Sequence, residues 1–320
     1  MEIELPPLIK SLSFHDIDEP ADRMKRFNWS MEHRQLEGGA FEGELIVAQF
    51  SGMQFARMTY NRGIRSGGNS PDGMIGIAVP LSVPQSLYWH GYSLSMNEAL
   101  LQKRSQGVDF LRRGTFSLGL VTIDVDSLLQ VAELTERTKV ESLVTGKTHL
   151  VQPDPIALKR FSLHLQNLFT MIQLQPQQVL KPETQILIRQ AFILLMLDLL
   201  DSNQNRLALR PSSRYQLIKQ AEGILMENLK CPITVYDLCT KLHVSERTLW
   251  YGFQECFGMP PMAYLKTQRL NKIRQQLKAS TASQTTVTDV ATQWGFWHMG
   301  QFAKDYKKMF GESPSETLRN

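Results

Sequence analysis

The side chains best suited to binding chemistry lie in the last third of the sequence, on a stretch whose apolar residues have a helical period. Leu249, Phe253 and Phe257 recur every four residues, so on a helix they form one stripe and leave Arg247 on another face. A guanidinium is a planar fork of donors that matches O6 and N7 of guanine. Arg247 could therefore bind a base, contact a phosphate, or remain an ordinary exposed helical arginine.

The elements that must position this arginine are two short helices joined by a tight turn. Thr234 is a suitable N-cap for the first, and Asp237 occupies the capping-box position three residues later. His243 stands at the break, where the backbone favours glycine and histidine is better tolerated than most residues. Ser245 is placed to cap the second helix, and Gly258 is placed to end it.

The same pattern recurs 53 residues further on, where His298 stands at a helix start as Ser245 does. Phe302, Tyr306 and Phe310 form the inner stripe of this second helix. Helix, tight turn and second helix of these lengths are typical of a DNA-reading unit whose second helix enters the major groove. The two predicted units cover about 233–257 and 286–310.

A third helix is predicted between the two units, from Pro261 to Lys278, with an apolar face that can pack on both. A rigid helix that sets the two reading helices about 34 Å apart would bring them to successive major-groove turns of one duplex. Four basic residues of this helix are expected to stay solvated or to contact phosphates: Lys266, Arg269, Lys272 and Arg274.

The charge of the chain is unevenly distributed. Residues 208–320 contain 15 Lys and Arg against 9 Asp and Glu, a net +6, whereas the whole chain carries only +4. The excess favours an anionic partner such as nucleic acid, although a solvated basic face would give the same count.

Composition and motifs exclude several other classes. The 320 residues, 42% of them apolar and 21% charged, are typical of a globular protein of about two domains. Charged residues interrupt the longest apolar stretch, 186–200, and the N-terminus lacks a secretory pattern. Three cysteines without a CxxC pair favour the reduced cytoplasm. Since no nucleotide-binding or hydrolase motif occurs, we predict no enzyme, no cofactor, no catalytic residue and no metal ligand.

The first two-thirds predict a β-rich domain followed by helices. Short apolar runs bounded by Gly, Pro and Asn turns favour an antiparallel β-barrel or sandwich. After Pro153 and Pro155 the period becomes helical. We expect two amphipathic helices, one with a stripe at Leu187, Ala191, Leu194 and Leu195 from which Asp198 departs, that cover the β-domain or pair between subunits. The predicted domains are a sensory domain at 1–150, a helical connector at 151–207 and a DNA-binding domain at 208–320.

Several segments of the last third resemble the AraC/XylS family of transcription regulators. They are 242–249 (LHVSERTL), 295–302 (GFWHMGQF), 305–307 (DYK) and 310–315 (FGESPS). The run 293–298 (QWGFWH) is closest to the ethanolamine-operon regulators within that family. The resemblance implies a cytoplasmic, sequence-specific DNA-binding regulator, usually an activator that recruits RNA polymerase, with a cupin-like N-terminal domain and a homodimeric connector.

The resemblance also implies which residues face DNA. The expected DNA-facing residues are Ser245, Glu246, Arg247, Thr248, Trp250, Tyr251, His298, Gly300, Gln301, Lys304, Lys307 and Lys308. Gln301 could pair with adenine and Lys304 with guanine or a phosphate. Trp250 and Tyr251 depart from the residues common in the family, so they contact thymine methyl groups or sugars, or else pack on the following helix. His298 is interpreted as a cap or phosphate donor rather than a metal ligand.

An unknown small-molecule effector is expected in the β-domain. Seven residues could line its pocket, with an ordinary core position as the alternative for each: Tyr60, Arg62, Arg65, Tyr88, Trp89, His90 and Tyr92. A partner protein could replace the effector. A metal-dependent cupin enzyme fused to a DNA module is a rival hypothesis, but residues 38–125 contain one histidine. A DNA-repair methyl acceptor needs an activated N-terminal thiol, and residues 1–230 contain no cysteine.

Overall fold

The computed structural model describes residues 8–82, 86–103, 107–146, 150–204, 213–281 and 283–319. The strands are β1 (Leu8–Phe14), β2 (Ser30–Gln35), β3 (Gly43–Phe50), β4 (Met53–Tyr60), β5 (Ile64–Asn69), β6 (Met74–Pro80), β7 (Ser86–Trp89), β8 (Tyr92–Ser93), β9 (Ala99–Gln102), β10 (Gly107–Arg113), β11 (Phe116–Asp124) and β12 (Leu150–Val151). The helices are α1 (Glu19–Met24), α2 (Val125–Leu134), α3 (Thr138–Thr145), α4 (Pro155–Leu174), α5 (Pro176–Val179), α6 (Pro182–Asp201), α7 (Ser213–Glu227), α8 (Val235–Leu242), α9 (Glu246–Phe257), α10 (Pro261–Lys278), α11 (Val287–Gln293), α12 (Met299–Phe310) and α13 (Pro314–Arg319).

The strands form two antiparallel sheets. The larger has the order β1-β3-β4-β11-β6-β9-β12, and the smaller has the order β2-β5-β10-β7-β8. Turns join β3 to β4 at Ser51 and Gly52, both with positive φ, and the two strands pair so that Ile46 lies opposite Arg57. The predicted antiparallel β-rich region is confirmed, but the sheets do not close into a barrel because each keeps two edge strands.

The larger sheet buries one face under α4 and α6. Phe192 of α6 lies edge-on to Phe55 of β4 at 5.0 Å and to Phe161 of α4 at 6.0 Å. α4 approaches β11 closely at Gly119, where an added Cβ would lie 2.6 Å from a methyl of Leu165. Of the two alternatives that the sequence left open for these helices, covering the β-region is the one observed.

The face of α6 that carries this packing shares only Leu195 with the buried part of the predicted stripe. Leu187 and Leu194 are 66% and 47% exposed, whereas Phe192, Met196 and Leu199 are buried. The three- and four-residue spacing is the same for both stripes, so period alone could not choose between them. Asp198 departs from the apolar pattern because it binds Arg137 at 2.7 Å and Arg160 at 3.5 Å.

The chain divides into two compact units. The first contains Met1–Glu32, Glu42–Asn61 and Ser66–Arg210, and the second contains His33–Phe41, Arg62–Arg65 and Pro211–Asn320. Two short segments of the N-terminal sequence are thus part of the unit that holds α7 to α13. The domain boundaries at 150 and 207 stay a prediction. The polar stretch 202–211 is the linker that the sequence predicts, and residues 205–211 of it lie outside the described residues.

Sequence periodicity missed several elements of the first unit or its margins. Among them, β1, α1 and β2 precede the region in which strands were expected, and α2 and α3 fall inside the predicted β-domain. α2 begins at Asp124, whose side chain accepts a hydrogen bond from the Ser127 amide. Because this cap follows β11 directly, with no glycine or proline between strand and helix, the sequence showed no boundary where the helical period begins.

Candidate nucleic-acid interface

The first helix-turn-helix unit is built as its sequence predicts. α8 begins at a complete capping box between Thr234 and Asp237. His243 then adopts a left-handed backbone with φ of 54°, which turns the chain toward Ser245. The Ser245 hydroxyl caps α9 by accepting from the Thr248 amide at 3.2 Å. Gly258 ends α9 with φ of 70°.

α9 has one buried face and one exposed face. Leu249, Phe253 and Phe257 are buried as predicted. Trp250 and Tyr251 are 44% and 49% exposed, so neither indole nor phenol is a core group. Glu246, Arg247 and Thr248 are also exposed. The exposed face therefore combines aromatic surface with hydrogen-bonding groups, which is a suitable surface for base edges and sugars.

The exposed side chain of Arg247 contacts a neighbouring aromatic ring. Its guanidinium carbon lies 5.4 Å from the centre of the Tyr251 ring, a cation–π contact, and Trp250 lies edge-on to the same ring at 5.3 Å. These residues border a groove of about 510 Å³ that is lined by Arg214, Arg247, Thr248, Tyr251, Gln254 and Glu255. Tyr251 thus restricts the rotamers of Arg247, a role that the sequence did not indicate.

The second unit repeats this arrangement. Thr286 caps α11, Gly295 turns the chain with φ of 81°, and Gly311 ends α12 with φ of 80°. Phe302, Tyr306 and Phe310 are buried in its core, as predicted. His298 stands at the N-cap of α12, but its side chain makes no capping hydrogen bond. The capping alternative for His298 is therefore wrong, and its alternative role as a phosphate donor stays a prediction.

The outer face of α12 is polar and basic. Gly300, Gln301, Lys304, Lys307 and Lys308 are all exposed. Gln301 donates to Asp305 at 3.2 Å, and the other oxygen of that carboxylate binds Lys266 of α10 at 2.5 Å. Asp305 therefore holds Gln301 and Lys266 on the same side of the unit. The three remaining lysines supply the cationic surface that phosphates require.

Two of the four basic residues of α10 are structural rather than solvated. Arg274 is 7% exposed, donates to Glu312 at 3.3 Å and lies over the Phe310 ring. Arg269 donates to the carbonyls of Leu229 and Cys231. The expectation that all four stay solvated or meet phosphate is wrong for this pair, because each arginine is held by groups inside the unit.

Comparison with known proteins points to the same region. A family model described as a helix-turn-helix domain matches residues 238–320. A probable thc operon regulatory protein of Rhodococcus erythropolis is 40% identical over 103 residues, which are 32% of this chain and 31% of that protein. A XylDLEGF operon transcriptional activator of Pseudomonas putida is 33% identical over 125 residues, 39% of this chain and 38% of that one. The chain thus spans about a third of the length of these curated relatives.

One similar solved structure consists almost entirely of the matching region. It is a probable AraC family transcriptional regulator from Rhodopseudomonas palustris, 39% identical, with a TM-score of 0.31, and it matches 33% of this chain and 99% of its own. Residues 238–320 thus match a helix-turn-helix domain and are similar to the corresponding part of these operon regulators. The twelve residues expected to face DNA belong to this domain, and the structure leaves their DNA contacts as predictions.

The helix-turn-helix domain contains a buried ionic cluster that sequence reasoning missed. Glu222 of α7 accepts from Arg65 at 3.0 Å and from the Tyr264 hydroxyl at 2.5 Å, and Arg34 lies 3.7 Å away. Burial alone raises the pKa of Glu222, but the two guanidinium groups and these hydrogen bonds hold it below its usual value. The carboxylate is therefore ionised and fully paired. No local signal in the sequence joins positions 157 residues apart.

Residue 35 is tied to the same domain by amide hydrogen bonds. The Gln35 amide donates to Asn271 Oδ1 at 3.0 Å, and Asn271 Nδ2 donates back to the Gln35 carbonyl at 2.9 Å. Gln35 Nε2 also donates to the Met309 carbonyl at 2.8 Å. All of these groups are buried, so each bond satisfies a polar atom that has no access to water.

The seven residues proposed to line an effector pocket are divided between the two compact units. Arg62 and Arg65 belong to the unit of the helix-turn-helix domain, and Arg65 is committed to Glu222. In the other unit, Tyr60 is buried beside Arg112, whose guanidinium carbon lies 4.9 Å from its ring centre. Burial raises the pKa of Tyr60 to about 12, so the phenol stays protonated.

The remaining four candidates lie in or beside β7 and β8. Tyr88 and Trp89 are buried, and His90 adopts a positive φ at the turn between the strands. The Trp89 and His90 rings are 4.7 Å apart. Elsewhere in this unit, Phe27, Trp29, Val47 and Leu120 line a cavity of about 10 Å³, which holds about one water molecule and no effector. Effector binding therefore stays a prediction.

Metal and thiol chemistry have little support in the part of the chain that the structure describes. Within it, no three His, Cys, Asp or Glu side chains are grouped to hold a metal ion, and no helix is long and apolar enough to cross a membrane. Cys256 lies on the buried face of α9, and burial raises the pKa of its thiol to about 12. This cysteine is a packing residue rather than a nucleophile.

Proposed function

We propose that this protein is a sequence-specific DNA-binding transcription regulator that reads one duplex with α9 and α12. The observation that carries the proposal is the duplicated unit. In each copy an aromatic stripe is buried, the helix starts and ends at the same relative positions, and the opposite face is exposed and polar. Two such faces in one chain fit adjacent major-groove segments of an asymmetric site.

Within this proposal the side chains divide by task. Arg247, oriented by Tyr251, binds a guanine edge, and Gln301 binds adenine. Lys304, Lys307 and Lys308 contact phosphates and set the dependence of affinity on salt. Trp250 covers a thymine methyl group or a sugar. Ser245 and Thr248 are engaged with each other in the cap, with 2.9 Å between their hydroxyls, so they position α9 and contact the backbone.

Selection from a randomised duplex library with the full-length chain tests the function. The full chain is needed because His33–Phe41 and Arg62–Arg65 belong to the compact unit of the reading helices. We expect enrichment of one site at 150 mM salt and protection of two segments about one helical turn apart in a footprint. Retention of no sequence above competitor DNA would overturn the proposal.

We further propose activation through RNA polymerase, control by a small-molecule effector in the sheet-rich unit, and a cytoplasmic location. The names of the Pseudomonas relatives, which are operon transcriptional activators, support activation. The run 293–298 supports membership of the ethanolamine-operon subgroup. A thermal-shift screen with amines, sugars and siderophores tests the effector, since a ligand that binds only the folded state raises the melting temperature. Silence across the screen favours a partner protein.

Homodimerisation through the outer face of α4 and α6 completes the proposal. Seven large apolar side chains of these helices are exposed, and exposed apolar surface of this kind is typical of an interaction site. They are Ile156, Leu163, Met171, Leu174, Ile186, Leu187 and Leu194. Sedimentation of the full chain measures the state directly. The enzyme alternative has one decisive test: stoichiometric metal in the purified chain would support it.

A further inference from the structure

Both reading helices contain a glycine, and the two glycines have different physical explanations. Gly252 lies inside α9 and Gly300 lies in the first turn of α12. Glycine weakens a helix relative to alanine because it loses more backbone entropy on folding. Each glycine therefore makes its helix less stable than alanine would at the same position. The helical backbone at both positions is one that alanine also adopts.

The explanation for Gly252 is internal. A Cβ added there would lie 2.4 Å from Ile218 Cδ1 and 2.6 Å from Ile218 Cγ1, on the buried side of α7. Ile218 is 1% exposed and has no room to move away. Gly252 lets α7 pack closely on α9, and alanine at this position would separate the two helices.

No such explanation exists for Gly300. A Cβ added there meets no atom within 4 Å, and the residue is exposed. Lys304, Lys307 and Lys308 follow it at i+4, i+7 and i+8, so Gly300 lies on the same helical face as the three cations. The buried stripe of Phe302 and Tyr306 lies on the opposite face. The described residues thus leave open space beside the Gly300 backbone, on the face that carries the three lysines.

We propose that Gly300 is the point of closest approach between α12 and the duplex, where the helix backbone lies against DNA without room for a Cβ. The proposal rests on the DNA-binding function above and adds an asymmetry to it. α9 contacts the groove through long side chains such as Arg247 and Trp250. α12 instead enters the groove with a first turn that has no side chain at Gly300. The second unit therefore sits deeper in its groove than the first.

The test separates stability from binding with three variants of the full-length chain. Gly300→Ala removes a helix-weakening residue without a clash, so the melting temperature stays equal or rises by about 1–2 °C. The affinity for the duplex selected by the wild-type chain falls about tenfold, because the new methyl group displaces the DNA. Gly300→Leu lowers it further.

Gly223→Ala is the matched control. Gly223 is also exposed within a helix of the same unit, and an added Cβ there meets nothing within 4 Å, but α7 is not a reading helix. We expect equal or higher stability and unchanged affinity. If Gly300→Ala binds the selected duplex as tightly as wild type, or if Gly223→Ala loses as much affinity, the inference is wrong. Failure of the wild-type chain to select any duplex would instead refute the function itself.

Discussion

At the scale of single residues, the exposed cations of the two reading helices differ in how firmly they are held. Arg247 is oriented by the Tyr251 ring, and its flat fork can bond two acceptors of one base. Lys307 and Lys308 end in compact ammonium groups in the last turn of α12. An oriented fork discriminates between bases, whereas a flexible point charge attracts any phosphate.

Arg247→Lys keeps the charge and removes the fork, so discrimination at one base pair of the selected site falls by about 1–3 kcal/mol. Affinity for unrelated DNA and the salt dependence change little. Lys307→Ala is the control: it weakens all duplexes alike and lowers the slope of log affinity against log salt by about 1. Competition binding over single-base variants at several salt concentrations measures both. Equal losses at every base position in Arg247→Lys would contradict base reading.

The buried carboxylate of Glu222 predicts a dependence of stability on pH. Its pKa is lowered in the folded state by Arg65 and Arg34, so its stabilising effect is complete above the unfolded pKa of about 4.3 and is lost as the pH falls through the folded value. Glu222→Gln leaves both guanidinium groups buried without a counter-charge and costs about 3–5 kcal/mol at pH 7. Urea unfolding between pH 7 and pH 3.5 should show this difference shrinking at the acidic end. A difference independent of pH would show that the lost charge is not its cause.

At the scale of elements, residues with a left-handed backbone fix where the helices of both units end. His243, Gly258 and Gly311 each stop a helix with a left-handed backbone. Two of the three are glycines, which adopt this conformation without cost, whereas a side chain with a Cβ is strained there. The turn of the first unit therefore carries strain that the end of α9 does not.

His243→Gly should raise the free energy of unfolding by about 0.5–1 kcal/mol, because it relieves this strain without removing a buried contact. Gly258→Ala, which introduces a Cβ at φ of 70°, should lower it by about 1 kcal/mol. Urea unfolding of the two variants measures these changes. A destabilised His243→Gly would mean that the imidazole makes a contact that outweighs the strain.

At the scale of the whole molecule, the feature that calls for a partner is the apolar outer face of α4 and α6. Leu187 and Leu194 lie one heptad apart and are both largely exposed. Burial in a dimer would remove this surface from water, and the inner face of the same helices already covers the larger sheet.

The double variant Leu187→Glu with Leu194→Glu should convert a dimer into a monomer, because it places carboxylates in an apolar interface. Leu134→Glu is the control: Leu134 is 77% exposed at the end of α2, outside this face, and its change should leave the oligomeric state as it was. Sedimentation equilibrium of the full chain measures the outcome. A dimer that survives the double variant would place the interface elsewhere.

The sequence by itself determined what depends on neighbouring residues. Caps at Thr234 and Ser245, the stops at Gly258 and Gly311, and the four-residue spacing of buried aromatics fixed both helix-turn-helix units to within a residue or two. Strands β3, β4, β6 and β11 of the larger sheet were equally visible, since apolar runs bounded by turn residues are local signals.

Tertiary structure decided what depends on residues far apart in the chain. Side chains brought together over long sequence separations decide which stripe of α6 is buried. They also explain why Arg274 is not solvated and why Arg65 pairs with Glu222. The reason is energetic: a buried charge must find its partner wherever the fold places one. The open surroundings of Gly300 were likewise visible only in three dimensions, because an empty space leaves no trace in a sequence.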